Sequence, residues 1–219
     1  MVQKDRVLTL DNIEDVIREF CAKITPLGAS IQGKTGIDLL IALKREMVNA
    51  GPYPNVTLFE AANRIMSDMV ILYGVAGLLK AGAYPFSEYL VEFGNEDRNG
   101  FDIRGLIDGC LPSGETPTLA GEAFNVAPSF LQGKKSSALK KLQANAGDYS
   151  YRFILFNSDA LPTGNASQRI TEVRKLSQHN RSEDGIHQFC VDIQSQKLYS
   201  VEPRAVRKLK HVVPTARNS

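Results

Sequence analysis

Apolar residues recur at helical spacing in the first third of the chain and predict three helices. The first follows Asp11, whose side chain can cap its N-terminus. Its apolar positions share one face: Ile13, Val16, Ile17, Phe20 and Ile24. The second helix lies within residues 36–51, where Gly51 and Pro52 end it, and the third is a long, largely apolar helix over 57–80.

The middle of the chain changes to the alternation of apolar and polar residues that is typical of strands. Segments 86–94 and 100–107 alternate and are joined by the turn-rich sequence NEDRNG, which predicts a β-hairpin. A third strand is predicted over 118–126, then a helix over 128–145 and a buried strand over 151–157. The predicted order is helix, three strands, helix, strand, so we expect an α/β fold.

The two ends of the chain are predicted to be additions to this core. Residues 1–55 would form a helical N-terminal addition, and residues 56–160 the α/β core. Residues 161–219 would form a basic C-terminal extension, in which the alternating sequence HQFCVDIQSQKLYSV predicts a hairpin. The chain has 219 residues, of which 43% are hydrophobic, and this is enough to fill one sizeable core.

Composition bears on the location of the protein and on its covalent framework. No apolar run reaches the roughly 18 residues of a membrane span, and the start of the chain lacks the layout of a secretory signal. We therefore expect a cytoplasmic protein. Cys21, Cys110 and Cys190 are widely spaced and form no CxxC pair, so neither a disulfide framework nor a cysteine zinc site is indicated.

The net charge is only +2, but the charges are distributed unevenly. Residues 81–127 hold eight acidic and two basic side chains, whereas residues 161–219 hold five acidic and ten basic ones. An acidic cluster that binds cations, beside a basic surface that binds a polyanion, is the charge distribution that a metal-dependent nuclease requires. An ordinary mixed surface can give the same distribution, so charge alone does not decide between them.

Residues 28–35 read GASIQGKT, which fits the phosphate-binding loop pattern GxxxxGK[ST]. That loop requires a buried strand that runs into the glycines and a helix that leaves them. Here a charged amphipathic helix precedes Gly28, and Pro26 lies where the strand would join the loop. We therefore expect these glycines to connect two helices. A nucleotide hydrolase that binds ATP through Lys34 is the weaker alternative.

Two carboxylates on neighbouring predicted strands form the main candidate site. Asp102 and Arg104 point to one face of their strand, and Glu122 lies on the next strand. Magnesium takes oxygen ligands, usually one or two carboxylates together with waters and a substrate phosphate. Glu60, in the first turn of the long helix, could add a third carboxylate. The sequence therefore predicts a Mg²⁺ site at Asp102, Glu122 and Glu60, and the alternative is that Glu122 pairs with Arg104.

At these residues the chain resembles the PD-(D/E)XK nuclease superfamily, to which many type II restriction endonucleases belong. The predicted order of helix, three strands, helix and strand is similar to the core of that superfamily. Asp102 matches the first acidic residue of the motif, and Glu122 matches the second. The family places a lysine two residues after the glutamate, where this chain has Phe124. Relatives can supply the missing amine from the following helix, which indicates Lys134 or Lys135 as catalytic residues here.

The phase of that helix favours Lys135. Counted from Pro128 at 3.6 residues per turn, Lys135 and Gln132 return to the face of the helix start, and Lys134 lies about 100° away. If this face is directed at the carboxylates, the amine of Lys135 stabilises charge on the phosphate. Five side chains of the helix are then expected to contact DNA: Gln132, Lys134, Lys135, Lys140 and Lys141.

The resemblance implies a restriction-endonuclease-like core and a magnesium-dependent endonuclease that hydrolyses phosphodiester bonds in double-stranded DNA. The implied class is a type II restriction enzyme, and cleavage of both strands of a palindromic site implies a homodimer. No nucleotide cofactor and no membrane partner are expected. The alternative, which Phe124 favours, is a DNA-binding or regulatory protein that retains the fold without the chemistry.

Overall fold

The computed structural model describes the chain in six segments: residues 7–94, 100–106, 118–145, 148–161, 185–202 and 205–208. These residues form a mixed α/β protein with a curled, mixed sheet and four α-helices. The helices are α1 (Ile13–Ile24), α2 (Gly36–Lys44), α3 (Leu58–Ala81) and α4 (Leu131–Ala144). Short 3₁₀ segments lie at Thr25–Ile31, Pro128–Phe130 and Ser158–Ala160.

The described strands are β1 (Val7–Thr9), β2 (Met47–Val48), β3 (Val56–Thr57), β4 (Glu88–Val91), β5 (Ile103–Leu106), β6 (Leu119–Phe124), β7 (Tyr151–Asn157), β8 (Ile186–Asp192), β9 (Lys197–Glu202) and β10 (Ala205–Lys208). Seven of them form the sheet in the order β1-β4-β5-β6-β7-β8-β9, and β10 pairs with β9 as an eighth strand. Neighbours are antiparallel from β1 to β6, parallel across β6, β7 and β8, and antiparallel again beyond β8. β2 and β3 form a separate ribbon.

Two hydrophobic cores lie on the two faces of the sheet, because successive side chains of a strand point to opposite faces. In β6, Leu119 packs into the core that includes α3, whereas Ala120 and Phe124 pack into the core that includes α4. Glu122 is two residues from both Ala120 and Phe124, so its side chain points to the α4 side of the sheet.

α3 is the longest helix and supports the sheet on one face. Thr57 caps its N-terminus by accepting the backbone N–H of Glu60 at 3.2 Å, and Gly82 ends it with a left-handed φ of 55°. Gly74 allows a close approach to the sheet, because a Cβ there would lie 2.3 Å from a methyl carbon of Leu155. By length and composition alone α3 could cross a membrane, but most of it is buried in the fold, as in the core helix of a folded domain.

The predicted order of helix, three strands, helix and strand is confirmed by α3, β4, β5, β6, α4 and β7. α4 is the crossover connection that the parallel pair of β6 and β7 requires. The hairpin predicted in the C-terminal segment is confirmed as β8 and β9. The turn-rich sequence NEDRNG between β4 and β5 lies largely outside the described residues.

Three details differ from the sequence predictions. β1, in the segment predicted to be helical, pairs with β4 and joins the sheet, because three residues are too few to show an alternation. β8 pairs in parallel with β7, so the C-terminal segment continues the sheet. The helix predicted from Pro128 starts as a 3₁₀ turn and becomes α-helical at Leu131, so a count of 3.6 residues per turn from Pro128 gives a wrong phase.

Candidate active site

The structure brings together Asp102, which directly precedes β5, and Glu122, which lies in the neighbouring β6. The register of β5 and β6 pairs Ile103 with Gly121. Asp102 directly precedes β5, and continuing the register by one residue places it next to Glu122. Asp102 Oδ2 accepts a hydrogen bond of 2.8 Å from the backbone N–H of Ala123, which fixes this carboxylate against β6. The negative charge of Asp102 contributes to a raised pKa at Glu122, so the two carboxylates interact electrostatically.

Lys141 brings an amine from α4 to this pair. Its Nζ lies 2.7 Å from Glu122 Oε1 and 5.2 Å from the ring centroid of Phe101. Glu122 is 8% exposed, whereas the Lys141 side chain is about half-buried, so the ion pair reaches from the protein interior toward solvent. Two carboxylates and one amine therefore share one face of the sheet.

Burial makes both carboxylates harder to ionise than exposed ones. Desolvation, followed by the charge of Asp102, raises the pKa of Glu122 to about 7, and Lys141 and Lys134 oppose this increase. Desolvation also raises the pKa of Asp102, with a smaller contribution from Glu92, whereas a backbone hydrogen bond and the two lysines lower it. The amines therefore offset only part of the cost of burying these charges, and a further cation here would be stabilising.

Asp68, in the middle of α3, is a third buried carboxylate in this region and is only 1% exposed. Its Oδ1 accepts the backbone N–H of Gly94 at 3.0 Å, and its Oδ2 accepts the hydroxyl of Tyr53. Burial raises the pKa of Asp68 to about 7; Tyr53, Gly94 and Arg64 oppose the increase, and Asp102 adds to it. Asp68 is thus electrostatically coupled to Asp102.

Glu92 follows β4 and extends the acidic region. It is 5% exposed, its backbone N–H donates to the carbonyl of Asp102 at 2.9 Å, and its charge adds to the raised pKa of Asp102. Asp68 in α3, Glu92 directly after β4, Asp102 directly before β5 and Glu122 in β6 are therefore linked to one another through Asp102.

Glu60, the predicted third metal ligand, lies elsewhere on α3. Its side chain is about half exposed, and its Oε1 lies 2.5 Å from a guanidinium nitrogen of Arg64. Asp68 is eight residues further along, which is about 12 Å at 1.5 Å per residue. Asp68 is thus the α3 carboxylate that interacts with Asp102, and Glu60 as a metal ligand stays a prediction.

The basic residues of α4 divide between its covered and exposed sides. Four apolar side chains pack against the sheet: Leu131, Ala138, Leu139 and Leu142. Gln132, Lys134 and Lys140 are exposed, and Lys135 and Lys141 are partly buried. Lys134 and Lys141 are seven residues apart, so they lie on the same side of the helix, and both lower the pKa of the two site carboxylates. The amine that pairs with a site carboxylate is that of Lys141, which the sequence had indicated only as a DNA contact.

Phe124 lies two residues after Glu122, where the resemblance led us to expect a lysine. It is 3% exposed and packs on Phe156, with ring centroids 6.3 Å apart, in the core that includes α4. An amine at this position would have to lose its hydration inside an apolar core, which strongly disfavours the charged form. The amine of Lys141 approaches from α4 and avoids this cost.

Asp68 and Glu92 were not singled out by the sequence analysis. Asp68 belongs to the buried positions of the longest helix, in line with Ile65, Met69 and Leu72. A single carboxylate on such an apolar stripe is the signal that could have identified it, because unpaired acidic residues are rarely fully buried. Glu92 gave no comparable signal, since it follows β4 in a turn-rich, acidic stretch.

The donor set at this site fits a hard divalent cation. Asp102 and Glu122 would hold the ion, since both offer carboxylate oxygens and their negative charge is only partly compensated. Within the part of the chain that the structure describes, no three His, Cys, Asp or Glu side chains are grouped closely enough to hold an ion. Water and substrate oxygens would complete the coordination, as they commonly do for Mg²⁺.

The segment GASIQGKT connects two helices and does not have the context of a phosphate-binding loop. The 3₁₀ segment Thr25–Ile31 follows α1 directly, so no strand leads into the glycines. Gly33, in the turn before α2, and Gly36, the first residue of α2, have positive φ values of 74° and 53°. Lys34 forms an ion pair with Glu46. The prediction that these glycines connect helices is confirmed.

Lys34→Ala should change the free energy of unfolding by no more than about 0.5 kcal/mol, because the ion pair with Glu46 is partly solvent-exposed. Urea denaturation of the two proteins measures this difference. Calorimetry with ATP should detect no binding to the wild-type protein. A measurable ATP affinity that Lys34→Ala abolishes would contradict the assignment of this segment as a helix connection.

No protein-family model and no curated protein matches the chain. The features of the protein that bear on its function are therefore the geometry of Asp102, Glu122 and Lys141 and the order of the elements around them.

Proposed function

We propose that the protein is a magnesium-dependent endonuclease that hydrolyses phosphodiester bonds in double-stranded DNA. Its core would be that of the PD-(D/E)XK superfamily, and it would act in the cytoplasm as a type II restriction enzyme. The observation that carries the proposal is the grouping of Asp102, Glu122 and Lys141 on one face of the sheet. Two carboxylates and an amine are the groups that metal-assisted phosphoryl hydrolysis requires.

The order of the elements supports this assignment. α3, β4, β5, β6, α4 and β7 follow one another as the resemblance implies, with the two carboxylates at the second and third of the three strands. A fold by itself does not determine an activity, because one fold can carry many different sites. The side chains at the predicted motif positions are therefore the stronger part of the support.

Asp102 and Glu122 would bind the ion through their carboxylate oxygens. Asp102 is already oriented by its hydrogen bond with the N–H of Ala123, and Glu122 is held on the neighbouring strand. When bound, Mg²⁺ supplies positive charge beside the scissile phosphate and lowers the pKa of an attacking water. Both carboxylates have a raised pKa, so the lysines compensate their negative charge only in part. A bound cation would stabilise the charged carboxylates further.

Lys141 would stabilise the negative charge that develops on the phosphate. Its Nζ is held near Glu122 Oε1 before any substrate arrives, so little reorganisation is needed when charge develops nearby. Phe101, whose ring lies under the same amine, restricts the positions that it can take. This role is the one that the resemblance assigns to an amine from the following helix, at Lys141 instead of Lys134 or Lys135.

The remaining polar side chains of α4 would contact the DNA backbone. Gln132, Lys134 and Lys140 are exposed on the helix that carries Lys141, and Lys135 is partly buried there. Lysines at such positions bind phosphates regardless of sequence and orient the duplex. Cleavage of both strands at a palindromic site would employ two copies of the chain.

A DNA-binding or regulatory protein without catalytic activity is the second candidate. Phe124 favours it, because the strand position of the family's lysine is filled by a buried ring. The ion pair of Lys141 with Glu122 favours it too, since an amine that neutralises a carboxylate can serve a purely structural role. The two candidates make opposite predictions for cleavage.

Incubation of the purified protein with supercoiled plasmid tests the proposal. We expect nicked and linear plasmid with Mg²⁺ and unchanged plasmid with EDTA, on gels that resolve the three forms. DNA that is bound but never cut, in plasmids of varied sequence, would favour the second candidate. Neither binding nor cutting would contradict both candidates.

Lys141→Met should lower the cleavage rate at saturating DNA about a hundredfold, because one preorganised charge stabiliser is lost. Lys141 also lowers the pKa of Glu122, so the variant's cleavage should reach half its maximum at a higher pH than that of the wild type. Lys140→Met, an exposed neighbour on the same helix, is the matched control. It should weaken DNA binding in a salt-dependent way and leave the pH profile unchanged.

Lys135→Met distinguishes the two possible amines. A larger loss of rate for Lys135→Met than for Lys141→Met would return the catalytic role to Lys135. Equal and small losses for both, with unshifted pH profiles, would show that neither lysine is the catalytic amine.

A further inference from the structure

α2 is apolar on both of its sides but is covered on only one. Ala42 is buried against the fold on its inner side. On its outer side Ile37, Leu40 and Ile41 are 67%, 57% and 38% exposed. A helix that is apolar all round is normally buried all round, because exposed aliphatic side chains gain nothing from water. The described part of the chain thus leaves the outer side of α2 without a partner.

Two further apolar side chains extend this surface. Met47 on β2 is 61% exposed, and Phe59 is 49% exposed. The two are close in the fold, because Met47 pairs with Thr57 on β3 and Thr57 is two residues before Phe59. Lys44, at the end of α2, places its Nζ 3.7 Å from the ring centroid of Phe59 and so joins the helix to that ring. We call this surface the α2 patch: Ile37, Leu40, Ile41, Met47 and Phe59.

The charges at the border of the patch identify the kind of partner that it fits. Lys34 and Glu46 already pair with each other. Asp38 and Arg45 are exposed, and among the described residues neither side chain makes an ion pair or hydrogen bond. They are seven residues apart, so they lie within about 20° of each other on one flank of the helix. This flank thus carries one acid and one base without partners.

We propose that the α2 patch is the interface of a symmetric homodimer, in which two copies of α2 pack antiparallel. A two-fold axis between Ile41 and Ala42 places Asp38 of each copy opposite Arg45 of the other, on both sides of the axis. The same arrangement brings Leu40 and Ile41 of the two copies together at the centre. A patch that complements itself in this way is what an isologous interface requires.

The size of the patch agrees with this partner. The five side chains are between 38% and 67% exposed, and together they offer roughly a few hundred Å², the size at which an apolar patch marks an interaction site. The flanking Asp38 and Arg45 add to this area and bring it toward the roughly 800 Å² per partner of a stable interface.

A lipid surface would favour basic residues around the patch, whereas this border carries both an acidic and a basic residue, at the reciprocal spacing that a second copy matches.

Sedimentation equilibrium of the full chain, from about 1 to about 100 µM, tests the apolar part of the proposal. We expect a dimer for the wild type, and Leu40→Glu should raise its dissociation constant about a hundredfold or more. Leu10→Glu is the matched control, since Leu10 is 58% exposed and Leu40 is 57% exposed. The control should dimerise like the wild type. A monomeric wild type at the highest concentration, or equal effects of the two variants, would overturn the proposal.

A charge exchange tests the antiparallel geometry. Asp38→Arg and Arg45→Asp should each raise the dissociation constant about tenfold, because each places like charges opposite one another. The double variant restores two opposite pairs and should return the dissociation constant to near the wild-type value. If the dissociation constant of the double variant rises by the product of the two single-variant factors, the antiparallel arrangement is overturned. Circular dichroism of each variant establishes that its helices are retained.

Discussion

Asp102→Asn and Glu122→Gln should each lower the rate of plasmid cleavage about a thousandfold or more, while DNA binding is retained or strengthened. Each change removes one of the two carboxylates proposed to hold Mg²⁺, at nearly constant side-chain volume. The amide oxygen at position 102 can still accept the N–H of Ala123, so the local fold is preserved. Loss of a negative charge near the phosphate path favours binding of the polyanion. Nicking rates at saturating DNA and fluorescence anisotropy with EDTA separate cleavage from binding.

Glu60→Gln is the control for this pair of variants. It removes the same charge from a carboxylate that is about half exposed and paired with Arg64, away from the pair on β5 and β6. Its cleavage rate should match that of the wild type. A comparable loss of rate in Glu60→Gln would support the prediction of Glu60 as a ligand, and retained cutting by Asp102→Asn or Glu122→Gln would contradict the assigned site.

The core of the fold could be predicted from the sequence because its hydrophobic period changes clearly along the chain. α3 carries a long apolar run, β4 to β6 alternate, and β7 is a short buried run after a helix. β1 could not be predicted in the same way, because it has only three residues and is held by its pairing with β4. The order of the eight strands in the sheet also depends on long-range pairing, which local patterns do not contain.

The two carboxylates on the sheet could be predicted from the sequence, because strand geometry places them. The side chains that the helices bring to the site were missed. Asp102 and Glu122 meet because neighbouring strands fix both the face and the register of their side chains. Asp68 and Lys141 depend on which turn of a helix lies next to the sheet. Each residue of a 3₁₀ helix turns the chain by about 120° instead of about 100°, so the three-residue turn before Leu131 shifts the later side chains of α4 by about 60° from the predicted phase.

The buried carboxylates of the acidic region lower the free energy of unfolding, and such a loss of stability is typical of functional sites. Asp68 and Glu122 both have pKa values raised to about 7, and Asp102 is coupled to each of them. Buried carboxylates with partly compensated charge occur at functional sites more often than in ordinary cores, although structural ion-pair networks also produce them. Asp68 differs from the other two, because its hydrogen bonds with Tyr53 and Gly94 direct it away from any role as a simple ligand.

Asp68→Asn should remove a pH dependence of stability that the wild type has. Burial raises the pKa of folded Asp68 to about 7 from its ordinary 3.8, so the folded state keeps a proton that the unfolded chain releases near pH 4. The unfolded state therefore gains from ionisation as the pH rises. The wild-type free energy of unfolding should fall between about pH 4 and about pH 7, by as much as about 4 kcal/mol from this group, and then level off.

The measurement is the difference in unfolding free energy between wild type and Asp68→Asn, from urea denaturation at pH 4.5 and pH 8. Asp102 and Glu122 titrate in both proteins, so their contributions largely cancel in this difference. Glu60→Gln, at an exposed position of the same helix, should stay within about 0.5 kcal/mol of the wild type at both pH values. A difference between wild type and Asp68→Asn that is constant across this range would mean that folded Asp68 is already ionised at the lower pH. The hydrogen bonds from Tyr53 and Gly94, together with the charge of Arg64, would then outweigh the effect of burial on its pKa.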